Sequence, residues 1–297
     1  MHCRGRGSGL VSLMLALSLS IGIVLSAIHL TAQAERSQQR ARQLSLMEDQ
    51  AYQVFDLIER LLQQAGYVNV AMPMSVLSSR PIDGAIDGLD DATVSGTAQT
   101  MVNIAPSSSL ASDLLVIRLR GDANGLVLNC AGFAIPLASQ SDEFAGRSIL
   151  YIGLDPINEP ELRCHYRGAS AWTSQAVASG VLAFQVRFGV DVDDDGLPNN
   201  FLSASQLSDT ASTALPSSLP LRTRIVALHI ALLMRSPQPL GWVGAPKPID
   251  LFGTNGVGCN SADDGGAHVF PQQLKPNRLH RQFDKIIFLN NSLRPDA

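Results

Sequence analysis

The sequence predicts an α+β chain in which a long N-terminal helix, transmembrane and then amphipathic, packs on an antiparallel β-sheet. Three observations predict it. Residues 8–34 contain no Asp, Glu, Lys, Arg or Pro. Between Glu35 and Gly66 there is no Pro or Gly, and apolar residues return every three or four positions. From Asp113 onward, short alternating apolar runs are divided by Gly, Pro, Asn and Asp, which is the pattern of strands and turns.

The first segment is long enough to cross a bilayer. About 20 apolar residues in helical conformation span a hydrocarbon core of roughly 30 Å. Arg4 and Arg6 precede it and Glu35-Arg36 follow it, so the basic leader stays cytoplasmic and the rest lies outside. Three readings compete: a cleaved secretory signal, a plain signal anchor, and the first half of a longer helix. The first requires a shorter apolar run and a small-residue cut near its end, yet Ala32-Gln33-Ala34 lies beyond this run.

The helical pattern continues past the membrane. Leu44, Met47, Ala51, Val54, Ile58, Leu61 and Ala65 form one face, which Phe55 and Leu62 widen. Gly66 is a natural stop. Residues 10–65 therefore read as one helix, about 80 Å long at 1.5 Å per residue. A dimeric coiled coil is the alternative for its second half.

Residues 67–112 read as loops with one short strand, because Pro73, Pro81 and Pro106 interrupt a small, polar stretch. Residues 113–120 and 126–130 read as a hairpin across Gly121–Gly125. A second pair, 148–154 and 161–166, turns at Asp155-Pro156. Residues 184–190, 225–234 and 285–289 supply further strands, and Pro237, Pro239, Pro246 and Pro248 break the pattern between the last two.

The chain has 297 residues and a net charge of −4, with no long basic run, which argues against nucleic acid as a partner. No G-x-S-x-G, H-E-x-x-H, P-loop, G-x-G-x-x-G or C-x-x-C motif is present, so no enzyme class is indicated. The six histidines, at positions 2, 29, 165, 229, 268 and 280, show no metal-ligand spacing.

Asp191, Asp193, Asp195 and Gly196 match positions 1, 3, 5 and 6 of a calcium loop. Hard Ca²⁺ takes oxygen ligands, and Gly allows the sharp turn. Leu202 stands where an EF-hand needs a bidentate Glu, so the two open readings are a looser Ca²⁺ site, completed by Asn199 or a backbone carbonyl, and a solvated acidic turn. No other cofactor is indicated.

Cys3 lies in the leader, and Cys130, Cys164 and Cys259 lie in the exported part, where disulfides persist. Cys130 and Cys164 each fall on a predicted strand. A bridge between them would close a loop of about 33 residues, a few kcal/mol in the loop-entropy account, and would leave Cys259 over. The alternative is three free thiols.

These residues resemble a known family. The N-terminus is similar to a type IV prepilin, whose basic leader ends in Gly before Phe, Ser or Thr, Leu, an apolar residue and Glu. Here the run is Gly7-Ser8-Gly9-Leu10-Val11-Ser12-Leu13-Met14. The remainder resembles the PilW-like minor pilins, through Leu61-Leu62-Gln63-Gln64-Ala65-Gly66-Tyr67, Ser112-Asp113-Leu114-Leu115-Val116-Ile117-Arg118, Leu128-Asn129-Cys130, Leu162-Arg163-Cys164, Val186-Arg187-Phe188-Gly189-Val190-Asp191 and Ile287-Phe288-Leu289-Asn290-Asn291.

The resemblance implies a pilin-like fold divided into a leader (1–7), a pilin helix (8–66, with about 10–30 in the membrane) and a periplasmic β-rich domain (67–297). It implies a non-enzymatic minor pilin, held in the inner membrane by a single pass and then moved into the fibre. Its partners would be other minor pilins, the major pilin, the prepilin peptidase and the inner-membrane assembly platform. The peptidase would cut after Gly7 and methylate Ser8. Ser8 replaces the usual Phe, and Ser12 replaces the Glu that pairs with a neighbour's terminal ammonium. A subunit at the tip has no neighbour above it, so the lost Glu suits a priming subunit near the tip. The alternatives are a type II secretion pseudopilin and, in a different class, a membrane-anchored periplasmic ligand-binding or enzymatic domain.

Overall fold

A single helix, α1, runs over Ser8–Gln64 without a break, as its composition requires. The computed structural model describes residues 8–65, 85–94, 104–105, 111–136, 146–168, 171–209, 221–240, 247–252, 268–269 and 274–289. Gly66 and residues 67–84, expected as a helix stop and loops, lie outside these. The chain divides into two compact units, residues 1–46 and 47–297, so α1 contributes to both.

In the second unit, the predicted stripe of α1 is the buried one. Met47, Ala51, Val54, Phe55, Ile58, Leu61, Leu62 and Ala65 are all buried. Removing such side chains from water is the main gain that offsets the entropy of ordering the chain. Ala65 closes the helix by donating its N–H to the Leu61 carbonyl at 2.9 Å.

Two antiparallel sheets follow, where one was expected. Sheet I has the order β1-β4-β5-β6-β7, built from β1 (Ile86–Leu89), β4 (Leu114–Arg118), β5 (Arg147–Leu154), β6 (Pro160–Arg167) and β7 (Trp172–Ser179). Sheet II has the order β13-β10-β8-β9, built from β13 (His280–Phe288), β10 (Ile225–Arg235), β8 (Val181–Val190) and β9 (Asn200–Leu202). Two short pairs complete the strands: β2 (Thr93–Val94) with β3 (Ile104–Ala105), and β11 (Ile249–Asp250) with β12 (His268–Val269). A short helix, α2 (Ala204–Asp209), has its first N–H groups bound by the Asp90 carboxylate, 2.9 Å from Ala204 N and from Ser205 N.

Register places α1 on sheet II. Lys285 and Arg281 of β13 lie opposite Ile230 and Met234 of β10, so these four residues share a face. Lys285 Nζ lies 2.6 Å from Glu59 Oε2 of α1, and Arg281 pairs with Glu48. The other face of sheet II carries Ala183, Ala231 and Leu233, covered by Leu251, Phe252, Val269 and Leu274. In sheet I, Leu114, Val116, Ile149, Tyr151 and Trp172 pack under Leu89, Ala92 and Val94.

The sheets are stitched together at residues 111–113. Asp113 donates its N–H to the Phe184 carbonyl and accepts from Val186 N–H, both at 2.8 Å. Gly88 of β1 lies so near β8 that an added Cβ would come within 2.6 Å of Phe188 Cζ. Gly180, at φ +72°, makes the tight corner from β7 into β8.

The hairpin expected from 113–120 and 126–130 does not form. β4 pairs with β1 on one side and β5 on the other, so both its edges are taken. Residues 126–130 instead belong to a loop with a single bridge, Leu128 to Ala134. Side chains capture its backbone: Asp122 Oδ1 accepts from Leu126 N, and Asn129 Oδ1 accepts from Ala131 N and Phe133 N. Gln64 Oε1, in the last turn of α1, accepts from Leu128 N at 3.0 Å. The second expected pair is present as β5 and β6, joined by a turn at residues 155–159.

Candidate functional site

Two parts of the molecule carry chemistry that a compact domain does not need: the apolar half of α1 and the acidic turn after β8.

Among the described residues, the first unit has no core around its helix. Leu10, Val11, Leu13, Met14, Leu15, Leu17, Leu19, Ile21, Ile23, Val24, Leu25, Ile28 and Leu30 are all exposed. Exposed apolar surface of this extent is unfavourable in water and demands lipid or protein cover. Length and composition make this the one described helix able to cross a membrane. Its polar side chains are satisfied within the helix. Ser12 Oγ donates to the Gly9 carbonyl at 3.0 Å, Ser18 to Leu15, Ser20 to Leu17, Ser26 to Gly22 and Thr31 to Ile28, all at 2.8–2.9 Å. A hydrocarbon environment would offer no other partner, so this back-bonding makes those hydroxyls compatible with a membrane span. Gly7 lies outside the described residues, and Ser8 is the first residue of the helix.

The acidic turn is built by β8 delivering Asp191 at its end. Oxygen atoms of Asp191, Asp193 and Asp195 lie within 4.8 Å of one another. Asp191 is buried, whereas Asp193 and Asp195 are exposed. Asp191 spans the turn: Oδ1 accepts from Asp194 N and Oδ2 from Gly196 N, both at 2.7 Å. Burial works to raise its pKa, but the N–H bonds from Gly196 and Asp194 outweigh burial and hold it below the usual carboxylate value. Asp195 Oδ1 accepts from Leu197 N, and Asn199 Oδ1 accepts from Val192 N, each at 2.7 Å. Asp194 sits at φ +62° and Gly196 at +87°, the left-handed positions the turn needs. The three carboxylates form a donor set suited to a hard divalent cation, and two of them, Asp191 and Asp195, also accept from backbone N–H groups of the turn.

Residues beyond the reach of sequence reasoning complete this turn. Arg224, in the 3₁₀ turn Leu221–Arg224, lies 3.3 Å from Asp194 Oδ2 and donates to the Val192 carbonyl at 2.9 Å. Nothing local signals a partner 30 residues away. A second such cluster ties the β5–β6 turn to β10. Glu159 pairs with Arg235, and Lys275 and Arg278 lie 3.5 and 3.6 Å from it. His280, half-buried near Arg235 and Arg278, has its pKa lowered to about 4, by burial first and then by those two charges.

Cys130 and Cys164 are joined by a disulfide with Cα atoms 5.8 Å apart. It pins the 121–136 loop to the middle of β6. Cys259 lies outside the described residues. Histidines 165, 229 and 280 sit apart from the acidic turn in separate environments: His165 stacks on Trp172 at 5.0 Å, and His229 lies 3.1 Å from Asp284.

No curated protein matches this chain. A type IV-like pilin from Thermus thermophilus aligns over 86% of this chain and 98% of its own, at 14% identity and a TM-score of 0.37. Residues 149–291, from β5 through β13, match the family model for type IV pilus-assembly protein W, PilW, which is what this part of the chain is similar to.

Proposed function

We propose that the chain is a minor pilin-like structural subunit that helps prime assembly of a type IV pilus and lies near its tip. The supporting observation is α1 itself. Its first half is apolar on all sides and its second half is the core of a β-rich domain whose strands carry the PilW match. In this reading the helix anchors the domain in the inner membrane, N-terminus inward. It then exchanges lipid for the helices of other minor pilins and the major pilin at the assembly platform. The prepilin peptidase cuts after Gly7 and methylates Ser8. Ser12 bonds its own helix and presents no charge to a neighbour's ammonium, which suits a subunit with nothing above it.

Mass spectrometry of the mature N-terminus tests the route: cleavage between Gly7 and Ser8 is expected, and an intact leader or a cut near Ala34 overturns it. Deletion with pilus counting tests priming, with fewer fibres expected. Ser12→Glu tests the tip position by lowering tip incorporation; unchanged incorporation removes that support. The match favours the pilus over a type II secretion pseudopilin, and the subunit role requires no catalysis.

For the acidic turn we favour a self-capped structure over a Ca²⁺ site, because Asp191 bridges the turn through two backbone N–H groups and Leu202 stands where a calcium loop needs a bidentate Glu. Asp191→Ala should cost about 1–3 kcal/mol in calcium-free buffer, as loss of a charged hydrogen-bond acceptor does. A loss seen only when calcium is present would establish the metal reading.

A further inference from the structure

We propose that one face of α1, where its apolar half ends, binds the phosphate of an anionic phospholipid, an inference that rests on the membrane anchoring proposed above. The face carries His29, Gln33, Arg36 and Arg40. Their spacings of four, three and four residues keep them in line along a helix. All four are exposed. Gln33 Nε2 lies 2.8 Å from His29 Nε2, so the two arginines follow directly on a joined polar pair.

Depth selects the ligand. At about 1.5 Å per residue, the stretch from Leu10 to Leu30 fills a hydrocarbon core of roughly 30 Å. His29 therefore stands at the edge of the core, and Arg36 and Arg40 lie about 9 and about 15 Å beyond Leu30. The headgroup layer is roughly 5–8 Å deep on each side. Helical side chains lean toward the N-terminus, which here is toward the bilayer, and the long arginine stem carries its charge the same way. Both guanidinium groups thus reach phosphate level, while His29 and Gln33 face the ester layer beneath it.

Charge selects it as well. Arg36 and Arg40 stand one turn apart, and like charges at that spacing repel. Among the described residues neither has a carboxylate partner. Glu35, next in sequence, points about 100° away round the helix. Farther along α1, Glu48, Asp56 and Glu59 are engaged by Arg281, Arg60 and Lys285. A phosphodiester between the two guanidinium groups relieves the repulsion and accepts from both. A zwitterionic headgroup brings its own cation to the same place, so a net anionic lipid such as phosphatidylglycerol is preferred.

The test places the full-length chain in phosphatidylcholine vesicles holding a trace of spin-labelled phosphatidylglycerol or spin-labelled phosphatidylcholine. Electron spin resonance reads the fraction of label immobilised at the protein. Wild type should immobilise the anionic label about threefold better than the zwitterionic one, and Arg36→Gln/Arg40→Gln should hold the two about equally. Arg4→Gln/Arg6→Gln removes the same charge before the span and should keep most of the preference. Equal losses in the two double variants overturn the site in favour of a diffuse charge effect. If about 10 mM inorganic phosphate abolishes the preference and sodium chloride of matched ionic strength does not, the face takes free phosphate and the lipid assignment is overturned. Wild type that resists alkaline extraction from the vesicles yet shows no preference overturns this inference alone, and leaves an acidic face of another subunit as the occupant. Wild type released by alkaline extraction overturns the membrane anchor and this inference with it.

Discussion

The two halves of α1 are one helix in two solvents. Leu17 and Ile58 have similar hydrophobicity and the same backbone, yet Leu17 is exposed and Ile58 is wholly buried in the β domain. Residues 9–31 are apolar around the whole circumference, so no orientation hides them from water. Residues 47–64 confine their apolar residues to one stripe, and the chain's own sheet covers it. Where the cover is to be found is thus written in the angular distribution of apolar residues, not in their number.

The largest way to break this comparison is a charge in the first half. Leu17→Arg places a cation at mid-span, at an insertion cost of about 2.5–3.5 kcal/mol. We expect the membrane-bound fraction to collapse while urea unfolding of the β domain is unchanged; a domain destabilised by this change would show that the halves are not independent. Next comes Ile58→Ala in the second half, which should lower stability by about 2–5 kcal/mol through lost burial and a residual cavity, measured by urea unfolding in detergent. Membrane association should survive it.

Acid sharpens the contrast, because its effect falls on the β domain alone. His280 is held near 4 in the folded state, against the ordinary imidazole value of 6.5 when unfolded. Between those values the unfolded chain binds the extra proton, so stability is fully present above about pH 6.5 and is lost as pH falls toward 4. Burial lowers His165 as well, with the same sign. The pH series of urea midpoints should flatten in His280→Gln. The smallest effect belongs to the polar seam. Glu59→Gln removes the half-exposed pair with Lys285, and should cost less than about 1 kcal/mol and vanish in high salt.

The stripe of α1 was legible from Met47 to Ala65, because a buried helix face leaves a strict period; its expected first member, Leu44, is only half-buried, and Gln43 beside it is buried instead. β10 and β13 were legible for the same reason, although β13 begins five residues before the 285–289 run because His280, Arg281 and Gln282 carry no apolar signal. β7 was invisible: Trp172-Thr173-Ser174-Gln175-Ala176-Val177-Ala178-Ser179 is small and polar, and pairing with β6 alone makes it a strand. The 126–130 loop looked like a strand because its apolar residues alternate. What decides its path is Asp122, Asn129 and Gln64, whose side chains bond its N–H groups from positions that periodicity ignores. The acidic residues of the turn were read correctly as a cluster. Arg224, which holds Asp194, could not be, since ion pairs across 30 residues follow from the tertiary fold.

The hydroxyls of the apolar half have a mechanical meaning as well. Ser12, Ser18, Ser20, Ser26 and Thr31 each share a carbonyl that the helix ladder also uses, and such sharing loosens the ladder and lets a helix bend. Five shared carbonyls in about twenty residues make a compliant rod. Its curvature is set cheaply by whatever surrounds it, without any residue having to change its bonding.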